Sequence, residues 1–183
     1  MPDQTIIDVK GARIPALGFG NCGFAYPGAL GAKVAAPDRP VAAIVGDGAW
    51  GMSLHEVMTA VEEDLPVVAC VFNNQQWGAE KKNQIDFYDN RFVGANIGRE
   101  VGGFNFAEIA NAMGANGIRV TDPADLREAY VSAFASGRPS VVEIMVDPEE
   151  LAEPFRRDAL KTPVRYLERY KHLDASSFGQ ARP

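Results

Sequence analysis

An apolar run, Val41 to Val45, ends in Gly46-Asp47-Gly48, and the next one, Val67 to Phe72, ends in Asn73-Asn74. Both runs are short and rich in β-branched residues, so they read as strands buried on both faces of a parallel sheet. Strands that run parallel deliver the residues that follow them to one edge of the sheet. In open α/β sheets that edge is where ligands bind. An Asp carboxylate, an Asn side-chain oxygen and nearby backbone carbonyls make an all-oxygen set. Such a set suits Mg²⁺, an octahedral ion that commonly joins protein to phosphate groups. The ligand implied is a metal-bound diphosphate.

The rest of the chain fits that architecture. From Gly20 onward strand and helix signals alternate, which predicts an α/β fold, a parallel β-sheet flanked by helices on both faces. Ser53-Leu54-His55-Glu56 has the form of a capping box, with Leu54, Val57, Met58 and Val61 following at helical spacing toward an end near Asp64. Phe106, Ile109, Ala110 and Met113 mark a second helix stopped by Gly114. A third starts at Asp122-Pro123 and stops near Gly137, and Val141 to Val146 is the last strand. Residues 1–19, with Pro2, Gly11, Pro15 and Gly18, read as an irregular arm or truncated element. Residues 20–150 form the ligand-binding domain. Residues 151–183, where Phe155, Leu160, Tyr166, Leu167 and Tyr170 are mixed with basic side chains, read as a carboxyl-terminal arm.

Composition narrows the partners. A net charge of −6 over 183 residues, with only isolated basic pairs such as Lys81-Lys82 and Arg156-Arg157, argues against a nucleic-acid surface. No apolar run has the length of a membrane span and the amino terminus lacks a signal-peptide pattern, so no membrane partner is expected and the cytoplasm is the default. Cys22 and Cys70 are neither numerous enough for a disulfide framework nor spaced like a metal knuckle. Cys70 lies in an apolar strand and reads as a small core residue. Cys22, taken alone, reads as a buried cysteine in a turn.

Three segments in order carry a family resemblance: Gly20-Asn21-Cys22-Gly23-Phe24 with Pro27 and Gly31, then Gly46-Asp47-Gly48 with Asn73-Asn74, then Gln75-Gln76-Trp77-Gly78. Together they resemble the diphosphate-binding, carboxyl-terminal domain of thiamine diphosphate-dependent enzymes. The cofactors implied are thiamine diphosphate and Mg²⁺. By the resemblance, Asp47, the Asn74 side chain and the Gln76 backbone carbonyl would hold the metal. Gly46, Gly48, Ala49, Trp77 and Gly78 would form the diphosphate cradle, with the small residues letting backbone approach the phosphates. Gly20 would offer a carbonyl to the aminopyrimidine amino group. Cys22 would wedge beneath the bend of the cofactor, where larger Met, Leu or Ile often stand.

The resemblance also implies what lies elsewhere. The activating Glu of this family belongs to a pyrimidine-binding domain, on the full-length chain or a partner, and Glu56, Glu62 and Glu63 read instead as cap and solvent-facing charge. No catalytic side chain is therefore assigned here, the chain by itself is expected to be inactive, and a homo-oligomer is expected. The loop Gln76 to Gln84 and the terminal Pro154 to Lys161 are similar to an acyltransferase branch whose small-molecule substrates are a sulfonated aldehyde and phosphate, giving acetyl phosphate and sulfite. Asn73 stands where that branch leads one to expect His. Lys81, Lys82, Arg91, Arg156 and Arg157 are candidates to meet the two anions. The alternatives are the diphosphate-binding subunit of a two-chain decarboxylase acting on sulfopyruvate or phosphonopyruvate, and a non-catalytic domain.

Overall fold

The computed structural model describes residues 11–16 and 20–151. Residues 11–16 form no helix or strand, and the proposed carboxyl-terminal arm lies outside the described residues apart from Leu151. Four strands, β1 (Val41–Gly46), β2 (Val67–Asn73), β3 (Asn116–Val120) and β4 (Ser140–Met145), form one parallel sheet in the order β1-β2-β4-β3. The helices are α1 (Ala25–Ala35), α2 (Asp47–Gly51), α3 (Glu56–Glu62), α4 (Gly78–Phe87), α5 (Phe106–Ala112) and α6 (Leu126–Ala135).

Period-two alternation along the strands divides the apolar side chains between two cores. On one face Val67, Ala69, Val71 and Val141 pack with Tyr26 and Leu30 of α1, Val57 and Ala60 of α3, and Phe106 and Ala110 of α5. On the other, Val68, Cys70, Val142 and Ile144 meet Ala129 and Ala133 of α6. Helices thus cover both faces of a parallel sheet, as the alternating pattern predicts. β1, expected to be buried on both faces, is instead an edge strand with Ala43 and Val45 buried and Ile44 exposed, because among the described residues no strand covers its outer side and no helix covers its second face.

Several local expectations need correction. The capping box at Ser53 does not form, because α3 begins at Glu56 and its leading amides are already taken by backbone: Glu56, Val57 and Met58 donate to the carbonyls of Ser53, Leu54 and His55. No orphan amide is left for the Ser53 hydroxyl, which is buried without a partner, and the Glu56 carboxylate accepts from the Thr59 hydroxyl instead. Residues 78–87, read as loop, are helix α4, whose one buried residue is Lys81. The Gly-rich stretch from Ala25 is helix α1, with Pro27 in the first turn, where a missing amide costs nothing. Asp122 caps a single 3₁₀ turn, Pro123–Asp125, through its bond from the Ala124 amide, and α6 follows it. Gly114 and Gly137 stand just past the ends of α5 and α6, where the sequence places both stops, and each holds positive φ.

Candidate functional site

β1 and β2 pair in register from Val41 with Val67 to Gly46 with Phe72, so their carboxyl ends stop side by side. Asp47 follows the first as the opening residue of α2 and is 2% exposed. Its two oxygens divide their work. Oδ2 accepts the Gln76 amide at 3.1 Å, which ties the loop after β2 to the end of β1. Oδ1 faces the end of the Asn74 side chain, 3.1 Å away, and that same Asn74 atom stands 2.8 Å from the Gln76 carbonyl oxygen. With the amide nitrogen turned inward, both contacts are hydrogen bonds. With the amide oxygen turned inward, the Asn74 oxygen faces two further acceptor oxygens with no proton between them, and a cation is what would hold them so. Adjacent ligands of an octahedral ion at about 2.0–2.1 Å lie about 2.9 Å apart, the spacing seen here. Burial pushes the Asp47 carboxyl up, against the opposing pull of the amides of Gly48, Gln76, Asp47 itself and Gln75. A carboxylate that is expensive to ionise alone favours a positive charge beside it.

The glycines on either side of this cluster are there for space. A Cβ on Gly48 would stand 2.7 Å from Trp77 Cε3, and one on Gly78 would stand 2.9 Å from Asn74 Nδ2. Ala49 sits half-buried in α2 against the first core. Gly46 is exposed and a Cβ there would meet nothing within 4 Å, so at this position the chain needs no glycine for packing. Beyond Asp47 and Gly48 opens a largely apolar cleft of about 390 Å³, walled by Met52, Trp77, Ile97, Phe104 and Phe106. The turn carrying Gly20 and Cys22 approaches this cleft through Gly23, where a Cβ would come 3.2 Å from that of Met52. Gly20 is left-handed, φ +66°. Cys22 is exposed, which removes the reading of it as a buried turn cysteine.

Around the oxygens the loop is held by many bonds. Gln75 is left-handed, φ +56°, its amide donates to Asn73 Oδ1 at 3.0 Å, and its carbonyl accepts the Ile97 amide at 2.9 Å. The Trp77 amide reaches the Ala95 carbonyl at 2.8 Å. The Gln76 side chain is buried, donating to the Pro148 carbonyl and accepting from Lys81 Nζ at 3.0 Å. Lys81 also reaches Glu149 at 3.4 Å, a carboxylate shared with Arg99, while Lys82 pairs with Asp86 at 3.0 Å. Both lysines therefore have partners within the chain. Arg156 and Arg157 lie outside the described residues. Sequence reasoning overlooked Glu143, fully buried in β4 and bonded to Asn73. A charge inside the apolar run Val141 to Met145 was the signal that could have found it.

Residues 5–144 match the family model of the thiamine pyrophosphate enzyme, C-terminal TPP binding domain. The chain belongs to the thiamine diphosphate-dependent enzyme family. Among curated members it is 54% identical over 159 residues to a sulfoacetaldehyde acetyltransferase of Alcaligenes xylosoxydans xylosoxydans and 53% identical over 161 residues to that of Castellaniella defragrans, each alignment covering 85% of this chain and 26% of the relative. A probable acetolactate synthase large subunit of Methanococcus aeolicus is 36% identical, covering 72% of this chain and 21% of that one. Among solved structures, the thiamine diphosphate-dependent 4-hydroxybenzoylformate decarboxylase of Rhodococcus jostii RHA1 superposes with a TM-score of 0.66 at 29% identity, over 72% of this chain and 24% of the decarboxylase. The chain thus spans about a quarter of the length of these curated relatives. Among the described residues no helix is long and apolar enough to cross a membrane.

Proposed function

We propose that this chain is the diphosphate-binding part of a thiamine diphosphate-dependent acyltransferase of the sulfoacetaldehyde acetyltransferase type, using sulfoacetaldehyde and phosphate and releasing acetyl phosphate and sulfite. The observation that carries the reading is the meeting of Asp47, Asn74 and the Gln76 carbonyl at one sheet edge, in a chain 53–54% identical over 85% of its length to enzymes of that name. These three oxygens would hold Mg²⁺, whose charge offsets a diphosphate that an acidic domain cannot otherwise match. The organic cofactor, when bound, supplies the nucleophile and electron sink. The chain's own residues bind and orient: Gly48 and Gly78 leave the backbone open to phosphate, and the apolar walls of the cleft exclude water. Cys22 would support the organic cofactor from the turn before α1, and Gly20 would offer it a backbone carbonyl. Turnover needs the Glu of a pyrimidine-binding domain, carried on the full-length chain or a partner, and the working protein is a homo-oligomer.

Titration calorimetry of thiamine diphosphate into the chain, with and without Mg²⁺, tests the cation site. Binding should require the metal and be lost in Asp47→Ala with the circular dichroism spectrum unchanged; equal heats in the two proteins would overturn the assignment. Acetyl phosphate should form from sulfoacetaldehyde only when a pyrimidine-binding domain is supplied. Sustained sulfite release by these 183 residues alone would refute that division of labour.

A further inference from the structure

Glu143 is a carboxylate at 0% exposure in the middle of a sheet, a placement that costs free energy unless hydrogen bonds and a partner charge offset it. Strand register shows what it serves. Val71 lies opposite Glu143 and Asn73 opposite Met145, so Asn73 and Glu143 rise from the same face as diagonal neighbours on β2 and β4. Asn73 Nδ2 donates to Glu143 Oε1 at 2.6 Å and to the Phe104 carbonyl at 3.2 Å. Glu143 Oε2 accepts the Ala107 amide in the first turn of α5 at 3.2 Å, and Arg119 Nε of β3 approaches that oxygen at 3.8 Å. Asn73 is thereby fixed from both sides, and its remaining oxygen accepts the Gln75 amide. This side-chain turn sets Gln75 in its left-handed conformation. The chain reversal that results brings the Asn74 side chain and the Gln76 carbonyl to the same place beside Asp47.

We propose that Glu143 and Asn73 are a positioning pair: Glu143, acting through Asn73, aims the Asn74 and Gln76 oxygens, and through the Ala107 amide it sets the Phe104–Phe106 wall of the cleft relative to them. The inference rests on the reading that Asp47, Asn74 and Gln76 hold a cation. It gives the buried charge a task beyond filling the core. A neutral side chain at 143 accepts one of the two amide donors and must turn its own donor toward the other, so only a carboxylate serves both.

Tb³⁺, a hard cation taken by oxygen ligands and made luminescent by a nearby indole, is the probe, with Trp77 beside the site. The full chain is titrated with Tb³⁺, back-titrated with Mg²⁺, and melted to show that each variant is folded. Glu143→Gln and Asn73→Asp should each weaken Tb³⁺ binding about tenfold or more, as loss of a partner that orients metal ligands does. Combining them restores a donor opposite an acceptor and should recover most of the affinity. Arg119→Met, which removes the ion pair and leaves both hydrogen bonds, should lower the melting temperature without moving the affinity. If Glu143→Gln does not fold, Asn73→Asp alone decides. Wild-type affinity in folded Asn73→Asp, or a double variant no better than the single ones, overturns the positioning role. Failure of the wild-type chain to bind Tb³⁺ in a way that Asp47→Ala abolishes overturns the cation reading beneath it, so the two failures are distinct.

Discussion

The indole of Trp77 lies so close to the backbone of Gly48 that a Cβ at position 48 would stand 2.7, 2.8 and 2.9 Å from three of its ring atoms. The start of α2 and the loop after β2 are therefore fitted to each other at the mouth of the cleft, with no space for even one methyl group. Gly48→Ala should destabilise the chain by about 1–3 kcal/mol through overpacking and displace Trp77 from the cleft wall. Denaturant melts followed by tryptophan fluorescence measure both effects. Adding Trp77→Leu should recover stability; a melt unchanged by Gly48→Ala alone would show that the indole swings away freely.

Gly117 of β3 is the tightest approach of backbone to backbone among the described glycines, since a Cβ there would lie 1.9 Å from the Ala107 carbonyl oxygen. The Asn111 side chain locks the same spot, accepting the Gly117 amide at 2.8 Å and donating to its carbonyl at 3.3 Å. No rotamer change relieves a clash between main chains. Gly117→Ala should cost about 3 kcal/mol, the upper end for one added methyl, and should part α5 from β3. Urea unfolding checks it, and a loss under about 1 kcal/mol would mean that helix and strand slide apart readily.

Strands β1, β2 and β4 were legible in the sequence because each is an apolar run closed by a change of character; burial on both faces explains such a run for β2 and β4, whereas β1, at the sheet edge, buries only the face of Ala43 and Val45. The pairing of Asp47 with Asn74 was legible for the same reason, since strand direction alone delivers both to one edge. Helix α4 was not, because it packs on the loop rather than the sheet: its buried residue is Lys81, and no apolar stripe marks it. Helix α1 was obscured by Gly28 and Gly31, poor helix formers that tertiary packing overrides. β3 escaped notice as a short edge strand in which only Val120 is fully buried. The Ser-x-x-Glu pattern misled because a capping box presumes free amides, and the turn from Met52 to His55 had already bonded them.

The two cysteines should behave as opposites. Cys22 is exposed and Cys70 is buried in β2. Burial pushes the Cys70 thiol up, against the lowering effect of its hydrogen bond with Tyr130, whose hydroxyl is also pushed up, first by burial. The native chain should thus titrate one fast thiol with a disulfide reagent and two after denaturation. A raised value means that the folded state holds its proton more tightly than the unfolded one. The stability so contributed is whole below the unfolded value and is lost as pH rises through the folded one. Stability should therefore fall on the alkaline side, above about pH 9, and Cys70→Ala should make that limb shallower. Two fast thiols in the native chain would refute the placement of Cys70.

The exposure of Cys22 makes it a clean probe of how the cofactor is held. A side chain in solvent contributes little to packing, so Cys22→Ala should change stability by less than about 0.5 kcal/mol. If the thiol supports the bend of the cofactor, its loss loosens the alignment of the reacting rings, and a displacement of about 1 Å can cost roughly a hundredfold in rate. The diphosphate end, held at Asp47 and Asn74, would stay anchored. In the complete enzyme the substitution should lower kcat far more than it weakens thiamine diphosphate binding, and a larger residue such as Met at 22 should restore the rate. Steady-state kinetics beside calorimetry separates the two quantities. Equal losses in both would make Cys22 a general binding contact, and no loss in either would remove it from the site.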